Sequence, residues 1–150
     1  MNLTQEQALA SLVAWLGNKT AGTFDNLPPD SANPIDNRRL VLPSQLAGKT
    51  ALFVEHISDD DTWTGTVVQK TEMEVWIWIF ASPGDDDVPS TVLNGLCAQV
   101  RNALAPDGMG NPCTLGGLVH YARVEGKSEY FPGDIGKQAL ARIQVAILLP

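Results

Sequence analysis

The amino-acid sequence predicts an α+β domain, with two helices packed on one face of a largely antiparallel, or mixed, β-sheet. Three observations carry this. Residues 4–16 repeat apolar side chains at helical spacing, the second half of residues 66–80 alternates as a strand does, and residues 89–104 return to a helical stripe. The expected order is α-β-β-β-α-β-β over one domain, residues 1–150.

The first helix has a capping signal. Thr4 followed by Gln7 has capping-box spacing, and Leu3 and Ala8 stand where a hydrophobic staple closes. Leu9, Leu12, Val13 and Leu16 form its stripe, and Gly17-Asn18 supplies the stop. Residues 22–35 then read as a loop that is mobile until a partner orders it. Gly22, Pro28, Pro29 and Pro34 punctuate it, and its large apolar residues are few.

Arg38 to Leu42 reads as a short strand ended by Pro43, and Ala51 to His56 as a second. Ile57 to Thr64 reads as a turn with Asp59-Asp60-Asp61 at its tip and Trp63 exposed within it. The third strand, about Thr66 to Phe80, alternates Met73, Val75, Ile77 and Ile79 with Glu74, Trp76, Trp78 and Phe80. Two apolar faces make it central or covered on both sides, with the tryptophans packed under a helix. Ser82 to Asp87 ends it. A second helix starts near Pro89, carries Val92, Leu93, Leu96, Cys97, Val100 and Leu104, and breaks at Pro106-Asp107-Gly108. Gly116-Gly117 reads as a tight turn before a strand over Leu118 to Glu125. A loop over Gly126 to Gly136 precedes the last strand, Ala139 to Leu148, which places the end of the chain in the sheet.

Composition narrows the function classes. Of the 150 residues 44% are apolar, enough for a core, since a chain this long buries roughly 70% of its unfolded surface. Seventeen acids against ten bases give a net charge of −7. That balance argues against a general grip on nucleic acid and against docking on an anionic membrane. The longest apolar run, Val75 to Ala81, is too short to span a bilayer. No basic stretch with an apolar core follows Met1, so no signal peptide is expected. Cys97 and Cys113 read as reduced, cytosolic thiols.

No catalytic or metal-binding constellation is expected, and no cofactor. His56, His120, Cys97 and Cys113 lack zinc spacing, and neither Asp59-Asp60-Asp61 nor Asp85-Asp86-Asp87 has the pattern of a calcium loop. No serine sits in a Gly-x-Ser-x-Gly frame, although a triad assembled in space stays open. Gly48-Lys49-Thr50 has a Walker ending without the first glycine. Glu72 and Glu74 share a strand face and read as solvent-facing, and His120 reads as a packing or interface residue.

The C-terminal third carries a resemblance. Thr114-Leu115-Gly116-Gly117 leads into Leu118-Val119-His120-Tyr121-Ala122-Arg123-Val124-Glu125-Gly126, and Ala139-Leu140-Ala141 opens a strand finishing Ile147-Leu148-Leu149-Pro150. Together these resemble the end of the tail terminator (tail completion) proteins of long-tailed bacteriophages. Asn37-Arg38-Arg39-Leu40 and Ala51-Leu52-Phe53-Val54 resemble that family's middle strands. Lys49-Thr50 stand where a Gln-Pro pair is typical, and the Pro-rich segment 22–35 departs from the family's shorter pattern.

The resemblance implies a structural virion protein of the tail's neck region, assembled in the host cytoplasm. Such proteins close as a hexameric ring on the tail tube, end its polymerisation and present the surface for head–tail joining. The implied partners are a second copy of this chain, the tail-tube protein and the head-closure or connector protein, with genome DNA passing through the lumen without specific binding. Candidate interface residues are Arg38 and Arg39 as bases, Asp59, Asp60, Asp61, Asp85, Asp86 and Asp87 as acceptors, and Trp63 as an aromatic contact. The alternatives are another neck or tail subunit (head-closure or tail-tube), or a small ligand-binding domain or enzyme using the cleft beside the tryptophan strand.

Overall fold

The computed structural model describes residues 3–27, 37–38, 50–81, 88–131 and 139–150. Over these the chain is α+β, with two helices on one face of an antiparallel sheet. The elements in order are α1 (Gln5–Lys19), β1 (Ala51–Thr64), β2 (Val67–Ala81), α2 (Pro89–Ala103), β3 (Tyr121–Val124), β4 (Glu129–Phe131) and β5 (Ala139–Leu148). The strands stand in the order β1-β2-β5-β3, with β4 also on β5, and every pairing is antiparallel.

α1 begins as its capping signal predicts. The Thr4 side chain accepts from the Gln7 N–H at 3.2 Å, and the Thr4 N–H donates to Gln7 Oε1 at 2.9 Å. Leu9, Leu12 and Leu16 are fully buried, each contributing roughly 1.5–3 kcal/mol of burial. α2 starts at Pro89, where a missing N–H costs nothing. α1 lies over β1, and α2 over β2 and β5. Between helices and sheet sit Met73, Val75, Ile77 and Ile79 of β2, with Ile143, Val145 and Ile147 of β5. Phe24 and Leu27 complete this core, so the described part of segment 22–35 is anchored. The rest of that segment lies outside the described residues.

Several elements differ from expectation. The turn expected over Ile57 to Thr64 is instead the continuation of β1, and the reversal comes at Gly65, with φ +65°. Aspartates disfavour strands, but this stretch is exposed and its register with β2 holds, apart from bulges between His56 and Ser58 and between Thr62 and Trp63. The strand expected over Leu118 to Glu125 is shorter, and part of the loop expected after it is β4. β3 faces Leu148 to Val145 and β4 faces Arg142 to Leu140. They are thus two pieces of one edge, interrupted at Glu125 to Ser128. The Leu-Gly-Gly turn is as predicted, with positive φ at Leu115 (52°), Gly116 (79°) and Gly117 (90°). Of the expected strand Arg38 to Leu42, Arg38 is in a turn and the remainder lies outside the described residues.

Candidate functional site

The helices cover one face of the sheet, and on the other Ala51, Phe53 and Phe80 form a second, smaller buried cluster with Trp78 and Leu140 packed against it. Alternation puts Trp76 and Trp78 of β2 on that outer face, so they are not packed under a helix as expected. Across the ladder they meet Gln144 and Arg142 of β5. The Arg142 guanidinium lies 3.8 Å from the Trp76 ring centre and 5.5 Å from that of Trp78, and it pairs with Glu129 of β4 at 2.8 Å. Phe53 and Phe80 extend this aromatic end, their rings edge to face at 5.5 Å.

The other end of the outer face is polar. Asp60, Glu72 and Glu74 line a groove of about 270 Å³ with Ser58, Glu125 and Gln144. Glu72 and Glu74 are engaged rather than simply solvated: Ser58 donates to Glu74 at 3.0 Å, Gln144 Nε2 to Glu74 at 2.8 Å, and the Tyr121 hydroxyl to Glu72. Burial, then the Glu72 carboxylate, push the Tyr121 phenol up to about 12. This set has acceptors but no assembled nucleophile and base. Among the described residues no group of three His, Cys, Asp or Glu side chains could hold a metal ion. Among them too, no helix is long and apolar enough to cross a membrane.

The expected interface residues fall into three groups. Arg38 is turned onto its own domain. It clasps Glu6 of α1 at 3.0 and 3.3 Å, and this hydrogen-bonded cation holds the Glu6 carboxyl below its usual range. Arg39 and Asp85, Asp86 and Asp87 lie outside the described residues. The third group stands on one ribbon. Asp59 Oδ1 is 2.7 Å from His56 Nε2 across the bulge, Asp61 accepts from Thr71 at 2.7 Å, and Asp60 points to the outer-face groove. Trp63 sits on the strand rather than in a turn, 58% exposed and directly opposite Val68.

Two features escaped the sequence reading. Arg142 could be assigned to the outer face from the alternation of β5, but its stack on Trp76 depends on a register that nothing in one strand specifies. The Tyr121–Glu72 contact depends on the same register. Cys97 and Cys113 are both free and buried, and burial raises the Cys97 thiol.

A scan against protein-family models finds no match for this chain, and neither does a search of curated protein sequences.

Proposed function

We propose that this chain is a structural subunit of a bacteriophage tail, a terminator that caps the tail tube as a ring, ends its polymerisation and offers the head-joining surface. The observation that carries the reading is the ribbon formed by β1 and β2. Its distal part is exposed on both strands, from Ser58 to Val68 and again at Lys70, and ends in Trp63, Val67 and Val68, all apolar and all open. Among the described residues β1 is also an edge strand over its 14 residues. A long projecting edge with an apolar tip is an assembly element, which a soluble monomer would have reason to blunt.

The C-terminal resemblance supports the same reading. Its Leu-Gly-Gly motif falls on a turn with three consecutive positive φ angles, where glycine is the residue that fits. The acidic surface suits a conduit for DNA better than a grip on it. In this reading the chain is not an enzyme and uses no cofactor or metal.

Electron microscopy of the purified protein, alone and mixed with tail tubes, tests the proposal. Rings seated on tube ends, with tube length fixed by their addition, are the expected result. Tubes that keep growing overturn it, and copies stacked along the tube or bound at the head side indicate a tail-tube or head-closure subunit instead.

A further inference from the structure

We propose that copies of this chain join head to tail by inserting the ribbon tip, Trp63, into a cleft at the far end of the next copy. The cleft, of about 380 Å³, lies where α1 and α2 end, and Trp15, Ala103, Ala105 and Cys113 give it an apolar lining. Its volume falls in the range of sites that enclose a small ligand or a bulky side chain. The loop forming one wall carries Met109, 89% exposed. That loop is rigid: Asp107 accepts from the N–H groups of Met109 and Asn111 at 2.9 and 3.0 Å.

The two surfaces lie at opposite ends of the molecule. β1 leaves Thr50, tied to Asp25 just beyond the end of α1, and reaches Asp59 beside Gln5 at the start of α1. The tip then continues about 15 Å past that point, while α1 runs about 20 Å the other way to the cleft. A tip and a receptor at opposite ends make a heterologous contact, which closes a ring or extends a filament.

Charge chooses a second copy as the occupant. The ribbon carries Asp59, Asp60 and Asp61 next to Trp63, so two ribbon edges side by side repel. Among the described residues the cleft is lined by a single cation, Lys19. Lys19 sits over Trp15, where it meets the aspartates that flank Trp63 of the incoming ribbon. The one carboxylate lining the cleft, Asp107, is held anionic by its own loop, chiefly by Asn111.

This contact does not rest on the tail reading, since it asks only that copies meet. Sedimentation velocity over a concentration series tests it with Trp63→Ala, which removes the tip, and Ala105→Trp, which fills the cleft. Lys19→Glu checks the cleft without adding bulk. The parent should self-associate, and each variant should do so at least ~30-fold more weakly, as for the loss of a central aromatic anchor. Mixed in equal amounts, Trp63→Ala and Ala105→Trp retain one working cleft and one working tip. They should form one-to-one dimers and nothing larger. A parent that stays monomeric at every concentration, a Trp63→Ala protein that associates like the parent, or two blocked variants that fail to pair overturns the proposal. Rings that form through this contact yet leave tail tubes uncapped would count against the tail reading alone.

Discussion

The side-chain amide of Asn26 holds both backbone hydrogen-bonding groups of Leu52, accepting from its N–H and donating to its C=O, each at 2.9 Å. A single carboxamide thus does at the start of β1 what a neighbouring strand would do. Leu52 is fully buried, so neither group has water to fall back on.

Asn26→Ala is therefore expected to destabilise the fold by about 1–2 kcal/mol, the cost of one orphaned buried N–H. The carbonyl is spared, because Asn37 Nδ2 also donates to it at 3.0 Å. Asn26→Asp keeps the acceptor but turns an oxygen, in place of the amide donor, onto the Leu52 carbonyl, so it should cost at least as much as Asn26→Ala. Urea midpoints at constant m-value check both the size and the order.

Arg142 is the second test. It stacks on Trp76 and pairs with Glu129, so one side chain links β5, β2 and β4 across the outer face. Arg142→Ala should cost about 1–2 kcal/mol, combining a cation–π contact with a half-buried ion pair. Arg142→Lys should recover less than half of that, since an ammonium cannot lie flat on the indole while serving the carboxylate. Thermal unfolding reports the cost, and a change in tryptophan fluorescence reports the uncovering of Trp76.

How much of this was legible beforehand follows from the range of each interaction. The helices were readable because their signals are local: Thr4 with Gln7, Pro89 at a first turn, and stripes such as Leu9, Leu12 and Leu16. The two faces of β2 were readable from alternation, but which face the helices take was not, since Trp76 and Trp78 look as apolar as Ile77 and Ile79. The ribbon was misread at Asp59-Asp60-Asp61 because propensity treats three aspartates as a turn. In the fold they lie beyond the helices, where exposure costs them nothing and His56 and Thr71 provide partners. β4 was missed because a three-residue strand has no period to detect. For the expected interface, Trp63 was placed correctly as exposed, whereas Arg38 was spent inside its own domain, a long-range contact with Glu6 that no spacing reveals.

The Tyr121 phenol provides a test at high pH. Its folded value, about 12, lies above the ordinary 10, so folding favours the neutral form. The stability this adds is fully present below pH 10 and is lost as pH rises through about 12. Alkaline titration by phenolate absorbance should show one phenol with a midpoint near 12 that Tyr121→Phe removes. Glu72→Gln, which deletes the neighbouring charge, should move that midpoint downward. A midpoint unmoved by Glu72→Gln would leave burial as the sole cause.

The Arg38–Glu6 pair tests the acid side and corrects the expected role of Arg38. Glu6 is held below its ordinary carboxylate value of 4.5, so folding favours its charged form. The stability involved is present above that ordinary value and is lost as pH falls through the lowered one. Glu6 is 79% exposed on its side chain, so screening keeps the contribution to a fraction of a kcal/mol at neutral pH. Arg38→Ala should therefore destabilise slightly at neutral pH and not at all once Glu6 is protonated, making the two unfolding curves converge in acid. Arg38→Glu should cost more, because it sets a second carboxylate against Glu6, and added salt should recover part of the loss. A gap between parent and Arg38→Ala that persists undiminished in strong acid would mean that the arginine acts through its half-buried stem rather than its charge.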